Sequence, residues 1–236
     1  MNILIVLRLV PELAQPYCDP IRAAFPAARV VVIHDVADGA PFFPEADVIA
    51  SFGSHLSDRA LREAVGLKWI HLFGTGVDGV LCLPSLRKDV IVTHSPGLHG
   101  ASISEAAIMF MLALSRDLKR GIHQMDDRLW DRWSCAVLEG KTVGILGVGL
   151  IAEALAPRVK AFGMKVIGIT GTPRPIATFD EIRHRDEFLQ VVPQLDYLVV
   201  LTPYSAQTHE IINGTVFAAM KRTSYLINLA RGKLVD

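Results

Sequence analysis

The sequence predicts an α/β fold in which parallel strands, buried on both faces, alternate with helices. Three observations support this prediction: the apolar residues form short solid runs instead of alternating with polar ones, helix-like segments separate the runs, and a glycine-rich turn joins one run to a helix. The chain has 236 residues, of which 51% are hydrophobic and 20% charged. This composition supplies a sizeable core and excludes a disordered chain.

The first part of the chain contains five predicted strands, which are the apolar runs 3–7, 30–33, 48–50, 69–73 and 90–92. Ser57 is the predicted N-cap of a helix over 58–65, whose apolar stripe is Ala60, Leu61 and Ala64. We expect this part to form one domain, residues 1–97, which ends near Pro96-Gly97.

The second part begins with a predicted long amphipathic helix that runs from residue 97 to about Arg120, with apolar residues spaced by three and four. A second series of predicted strands follows, at 142–146, 165–169, 197–201 and 224–229. Residues 98–236 are therefore the second predicted domain.

Charge and targeting signals exclude several classes of protein. The 24 Lys and Arg balance the 24 Asp and Glu, which argues against a nucleic-acid partner and against a polybasic membrane-surface protein. The longest apolar run, near 106–114, is far shorter than the roughly 18 residues of a spanning helix, and no signal peptide is evident. Cys18, Cys82 and Cys135 are typical of thiols in a reducing cytoplasm, and the histidines lack metal-ligand spacing.

A glycine-rich turn follows the predicted strand 142–146 and has the pattern G-x-G-x-x-A at Gly147, Gly149 and Ala152. The first glycine permits a tight turn, the second lets the backbone approach a pyrophosphate, and the small third residue packs the helix against the strand. Gly163 and a further strand at 165–169 follow in the expected places. We therefore predict a Rossmann-type dinucleotide-binding domain; the alternative is a purely structural turn. Pro157, inside the predicted helix, should kink it.

The end of the strand 165–169 predicts which dinucleotide is bound. NAD is usually selected by an acidic residue about 20 residues beyond the first glycine. Here Thr170 and Arg174 stand in this region and no acid does. An arginine attracts the 2′-phosphate of NADP, so we expect NADP(H) to be preferred over NAD(H). The alternative is that Arg174 is a solvated loop residue.

Six segments together resemble the D-isomer-specific 2-hydroxyacid dehydrogenase family, in its order and spacing. They are Phe73–Asp78, Pro96–Glu105, the glycine-rich turn, Phe162–Lys165, Leu201–Pro203 with Thr208, and Ile227–Gly232. The resemblance implies a flavodoxin-like substrate domain before the Rossmann domain. It also implies hydride transfer between NAD(P)H and a small D-2-hydroxy or 2-oxo acid, and a homodimer formed through the helix near 102–120.

The resemblance also implies roles for individual residues. Thr75, Gly76 and Val77 match the loop whose backbone N–H groups bind the substrate carboxylate. Arg231 matches the catalytic arginine, which holds the carboxylate and polarises the carbonyl. The residues matched to cofactor binding are Gly147, Gly149, Leu150, Ile151, Thr170, Arg174, Thr202, Pro203, Leu229, Ala230 and Arg231. We also expect substrate-facing residues near 51–55.

Two residues on the entry to the long helix have plainer interpretations. Ser102-Ile103-Ser104-Glu105 fits a capping box, which makes Glu105 part of a helix start. His99 precedes it and is interpreted mainly as an ordinary hydrogen-bonding residue.

The sequence departs from the family at its end, because the family continues beyond the position of Asp236 with a general-acid histidine and its orienting glutamate. Reduction of a ketone needs such a proton donor. We therefore expect this chain to be a fragment of a longer enzyme. The alternative is a non-catalytic NAD(P)-binding or regulatory module. Formate dehydrogenation is a third hypothesis, disfavoured because the additional N-terminal region of those enzymes is not evident.

Overall fold

The computed structural model describes every residue from Met1 to Asp236 and divides into two compact units, Met1–Leu98 and His99–Asp236. The sequence places this division one residue earlier, after Gly97. Each unit is built around its own five-stranded sheet. All neighbouring strands of both sheets are parallel, so the predicted fold class is confirmed.

The first unit has five strands and three helices. The strands are β1 (Asn2–Val6), β2 (Arg29–Ile33), β3 (Val48–Ser51), β4 (Trp69–Leu72) and β5 (Ile91–His94). The helices are α1 (Pro11–Ala24), α2 (Asp58–Glu63) and α3 (Asp78–Leu81). The strand order β2-β1-β3-β4-β5 is that of a flavodoxin-like doubly wound sheet.

The solid apolar run of β1 is explained by burial on both faces of the sheet. Ile3 and Ile5 belong to one buried cluster with residues of α1, whereas Leu4 and Val6 belong to another with residues of α2. The helix α2 begins as predicted, because Oγ of Ser57 accepts a hydrogen bond from the N–H of Ala60 at 3.2 Å.

The second unit has five strands and five helices. The strands are β6 (Thr142–Leu146), β7 (Lys165–Thr170), β8 (Glu181–His184), β9 (Tyr197–Val200) and β10 (Tyr225–Asn228). The helices are α4 (Gly100–Ser115), α5 (Leu118–Asp126), α6 (Leu150–Ala161), α7 (Phe188–Val191) and α8 (Gly214–Ala219). The order β10-β9-β6-β7-β8 is that of a Rossmann sheet, with the switch point between β6 and β9.

The predicted long helix is two helices, which corrects the sequence-based prediction. α4 ends at Ser115, and Asp117 adopts a left-handed conformation with φ of 49° before α5 begins. The Asp117 side chain then accepts a hydrogen bond from the N–H of Arg120 and caps α5. The capping-box interpretation of Ser102 and Glu105 is also wrong, because α4 already begins at Gly100 after His99, with no side-chain cap.

The helix α6 follows the glycine-rich turn and continues through Pro157 to Ala161. It ends where the sequence predicts, because Gly163 has a φ of +71° and reverses the chain into β7. Ala152, Leu155 and Val159 are fully buried against the sheet. This packing stabilises the helix in spite of the hydrogen bond that Pro157 cannot donate.

No group of three or more His, Cys, Asp or Glu side chains is arranged so that it could hold a metal ion. None of the helices combines the length and the apolar character needed to cross a membrane.

Candidate cofactor site and substrate loop

The predicted cofactor-binding residues of the second unit follow the carboxyl ends of four strands. Gly147 to Ile151 follow β6, Thr170 to Arg174 stand at the end of β7, Thr202-Pro203 follow β9, and Leu229 to Arg231 follow β10. Because these strands are parallel neighbours, their carboxyl ends lie at one edge of the sheet. The structure therefore brings all four segments to the edge at which doubly wound sheets bind ligands.

Gly147 makes the turn that leaves β6, and the structure explains why it is a glycine. Its φ is +102°, and its N–H donates to the carbonyl of Ile169 at 2.8 Å. A Cβ at this position would stand 2.6 Å from Cα of Thr202 and 2.8 Å from the carbonyl carbon of Leu201. No side chain fits between the turn and the backbone that follows β9.

The start of α6 presents a row of backbone N–H groups. Gly149 precedes the helix in an extended conformation and provides no side-chain cap. The N–H groups of Val148, Gly149, Leu150 and Ile151 donate to no other group of the chain. A Cβ on Gly149 would meet no atom within 4 Å, so the backbone is open on this side. Unpaired N–H groups at a helix N-terminus suit a diphosphate, so these residues fit a dinucleotide.

The segment after β9 is held by the hydroxyl of Thr208. Its Oγ1 donates to the carbonyl of Pro203 at 2.8 Å and accepts from the N–H of Ser205 at 2.8 Å. Thr202 and Thr208 are both buried, whereas Pro203 is exposed. The loop is therefore fixed from inside and presents Pro203 at the edge of the sheet.

The loop that carries Arg231 is shaped by Asn228, a residue without a predicted role. The Asn228 Oδ1 accepts from the N–H of Ala230 at 3.0 Å, and its Nδ2 donates to the carbonyl of Arg231 at 2.8 Å. The N–H of Leu229 donates to the carbonyl of Val200. An asparagine at the end of a strand is typical of a turn held by its own side chain, so its position could have indicated this role.

Arg174 and Thr170 are both engaged at the end of β7. Nη2 of Arg174 lies 2.5 Å from Oε1 of Glu153, in the first turn of α6. Oγ1 of Thr170 accepts from the N–H of Thr172 at 3.3 Å. The charge of Arg174, treated in the sequence analysis as available to a phosphate, is thus partly offset by a carboxylate.

The predicted carboxylate loop of the first unit follows β4. The N–H groups of Thr75, Gly76 and Val77 donate to no other group of the chain. Oγ1 of Thr75 donates to the carbonyl of Ser95 at 3.4 Å, which ties the loop to the segment after β5. Three successive unpaired N–H groups can bind an anion, so the loop fits a carboxylate.

The expectation of substrate-facing residues near 51–55 needs a correction at Ser51. This residue is fully buried, and its Oγ donates to the carbonyl of Val6 at 2.7 Å. It is the last residue of β3, where it faces the interior. His55 is half-buried, accepts from the N–H of Arg8 at 3.2 Å, and has a pKa lowered by burial and by the Arg8 charge.

His71 lies on β4, one residue before the end of the strand, in a small polar network. Its Nδ1 lies 2.9 Å from Oγ1 of Thr93, and its Nε2 lies 3.2 Å from Oγ of Ser95. Burial, together with the neighbouring His94, lowers the pKa of His71. The neutral ring therefore bridges β5 and the segment beyond it, next to the loop of Thr75.

Comparison with known proteins gives similar chains along most of the sequence. Residues 108–236 match the family model described as "D-isomer specific 2-hydroxyacid dehydrogenase, NAD binding domain". A D-3-phosphoglycerate dehydrogenase of Methanocaldococcus jannaschii is 30% identical over 81% of this chain and 37% of its own length. The same enzyme of Rattus norvegicus is 35% identical over 75% of this chain and 33% of its own.

A solved structure agrees with these sequence matches. The D-lactate dehydrogenase of Aquifex aeolicus, solved with NAD and lactic acid, has a TM-score of 0.87 and 26% identity over 100% of this chain and 71% of its own. The chain spans about a third of the length of the phosphoglycerate dehydrogenases that it matches. The family model covers more than half of the 236 residues. The chain belongs to the D-isomer specific 2-hydroxyacid dehydrogenase family.

Proposed function

We propose that the chain takes part in hydride transfer between a nicotinamide cofactor and a small D-2-hydroxy or 2-oxo acid. The observation that carries this proposal is the row of unpaired N–H groups beyond Gly147 and Gly149, at the same sheet edge as the loop of Arg231. A bound nicotinamide would supply the hydride chemistry, and the protein would bind and orient the reactants. Family membership supports the proposal.

The proposed roles of the protein groups follow from their chemistry. The backbone N–H groups of Val148 to Ile151 bind the pyrophosphate, and those of Thr75 to Val77 bind the substrate carboxylate. Arg231 polarises the substrate carbonyl, because its guanidinium carries a permanent charge with paired N–H donors. The side chain of Asn228 holds the loop on which Arg231 stands.

We propose NADP(H) as the preferred cofactor. An acidic residue at the end of β7 would bind the ribose 2′-hydroxyl and repel a 2′-phosphate, and Thr170 to Arg174 include none. The ion pair of Arg174 with Glu153 reduces the attraction that Arg174 itself offers a phosphate.

We propose a homodimer that forms through α4 and α5. These two helices expose large apolar side chains: Met109, Phe110, Leu114, Leu118, Ile122 and Met125. A groove of about 750 Å³ runs between α4, α5 and β10 and is lined mostly by apolar side chains. Contiguous apolar surface of this kind marks an interface.

The activity is tested by titrating the chain with NADPH and NADH, followed by cofactor oxidation with glyoxylate, hydroxypyruvate and pyruvate. We expect cofactor binding, and any turnover should fall about 100-fold or more in Arg231→Gln, the scale on which loss of one group that stabilises developing charge slows an enzyme. Arg222→Gln is the matched control, because Arg222 is exposed and precedes β10 at the opposite edge of the sheet.

The outcomes test both the cofactor site and the catalytic role. Cofactor binding without turnover would contradict catalysis by this chain alone, and it would fit both a fragment of a longer enzyme and a non-catalytic binding module. Absence of cofactor binding would contradict both. Turnover that is equal in Arg231→Gln and Arg222→Gln would contradict the role of Arg231.

A further inference from the structure

We propose that Arg185 binds the 2′-phosphate of NADP(H) and is the residue by which this chain selects NADP(H) over NAD(H). The inference rests on the proposed nicotinamide cofactor and deepens it. Arg185 lies outside the sequence motifs of the cofactor site; it follows β8 and begins a short 3₁₀ helix, Arg185–Glu187.

The strand register brings Arg185 to the end of β7. The parallel strands β7 and β8 pair Thr170 with His184, so the next residues, Gly171 and Arg185, leave the sheet side by side. The position of a Cβ on Gly171 would lie 3.8 Å from both Cζ and Nη2 of Arg185. The guanidinium therefore lies against the backbone at the place where Rossmann domains bind the adenosine ribose.

Arg185 is a cation at the end of β8 that has no counter-charge. It is half-buried, and its guanidinium makes no ion pair or hydrogen bond within the chain. Two other arginines nearby are paired, Arg174 with Glu153 and Arg183 with Glu181 and Glu187. A partly desolvated guanidinium with free donors favours an anion, and phosphate matches its planar fork.

The backbone around Arg185 is held in place by His184. Nε2 of His184 lies 3.1 Å from the carbonyl of Gly171, which links the two segments beyond β7 and β8. Nδ1 of His184 accepts from the N–H of Asp186 at 3.3 Å. Glu187 Oε1 accepts from the N–H of His184 at 3.2 Å, while its Oε2 lies 3.3 Å from Nη1 of Arg183. These hydrogen bonds fix the backbone of the turn that carries Arg185. The turn would therefore lose little conformational freedom when an anion binds to the guanidinium.

The test uses 2′,5′-ADP and 5′-AMP as probes, titrated calorimetrically against the whole chain. These two nucleotides differ only by the 2′-phosphate, so their affinity ratio measures its recognition. We expect Arg185→Ala to weaken the affinity for 2′,5′-ADP by about tenfold or more, which is the usual scale of a hydrogen bond to a charged group. The affinity for 5′-AMP should change by about twofold at most. Arg185→Lys should keep part of the preference, since it retains the charge without the fork.

Arg222→Ala is the matched control, because Arg222 is an exposed arginine that precedes β10 at the opposite edge of the sheet. Equal weakening of both nucleotides in Arg185→Ala would mean a structural role and overturn the inference, as would no change in either. Equal affinity of the wild-type chain for the two probes would contradict both the proposed NADP(H) preference and the role of Arg185. A chain that binds neither probe would contradict the proposed cofactor site itself.

Discussion

Replacement of the two glycines of the nucleotide turn by alanine should separate folding from cofactor binding. In Gly147→Ala the new methyl would overlap the backbone at Leu201 and Thr202, in a conformation with φ of +102°. Such a conformation costs a non-glycine residue about 1–3 kcal/mol, and overpacking adds about 1–3 kcal/mol. We expect the free energy of unfolding to fall by roughly 2–6 kcal/mol.

Gly149→Ala should behave in the opposite way. Gly149 has a φ of −127°, which an alanine adopts without strain, and a Cβ there would meet no atom within 4 Å. The free energy of unfolding should stay within about 1 kcal/mol of the wild-type value. The methyl would stand where we propose that the backbone meets the pyrophosphate. A steric cost of about 1–3 kcal/mol would weaken the binding of NADPH and of NADH by roughly 5-fold to 150-fold.

The assays are thermal unfolding and fluorescence titration with NADPH and NADH. One kcal/mol shifts the midpoint by about 2–4 °C in a domain of 150–250 residues, so Gly147→Ala should melt roughly 4–24 °C lower. Gly214→Ala is the matched control, since a Cβ there also meets no atom within 4 Å and the residue begins α8, away from the turn. A Gly149→Ala variant that folds normally and binds both cofactors as the wild type does would refute the assignment of the turn.

Three further predictions concern stability and assembly. Because the folded pKa of His71 lies below the ordinary value of 6.5, stability should fall as the pH drops below 6.5, and His71→Gln should flatten this dependence in urea unfolding between pH 7 and 5. Asp196 accepts from the N–H of Thr142 at 2.8 Å and pairs with Lys221 at 3.0 Å. Burial alone would raise the pKa of Asp196, but these two partners lower it overall. Asp196→Ala should therefore cost about 1–3 kcal/mol in chemical denaturation, whereas an unchanged midpoint would contradict this contribution. Phe110→Asp, on the exposed face of α4, should convert a dimer to a monomer in light scattering; a wild-type monomer would contradict the proposed interface.

The strands with solid apolar runs were predictable, and the elements that depend on tertiary context were not. β8 reads Glu181-Ile182-Arg183-His184 and is only partly buried, so it has neither an apolar run nor a clear alternation. α1 contains Pro16 and Pro20, which suppress a helix prediction; its buried Ala14 and Cys18 stabilise it in the fold. The left-handed turn at Asp117 could not be predicted from the apolar spacing, which continues through it.

For the candidate site, motif spacing in the sequence identified the segments, and the structure showed which residues of different segments contact one another. The turn of Gly147 was predictable because its sequence pattern reflects a local steric need. The ion pair of Arg174 with Glu153 joins residues that are 21 positions apart, and no periodicity encodes it. Arg185 was missed for the same reason, since its position beside Gly171 follows from the register of β7 and β8.

The strand order of the second sheet also has a consequence for how the chain acquires its structure on the ribosome. β6 lies at the centre and pairs with β9, yet about 50 residues separate Leu146 from Tyr197. At a synthesis rate of about 5–20 residues per second, the edge of β6 that pairs with β9 stays unpaired for roughly 3–10 seconds. The first unit, complete at Leu98, can fold during this interval. The nascent second unit is then the stage at which a chaperone that shields unpaired strands would matter most.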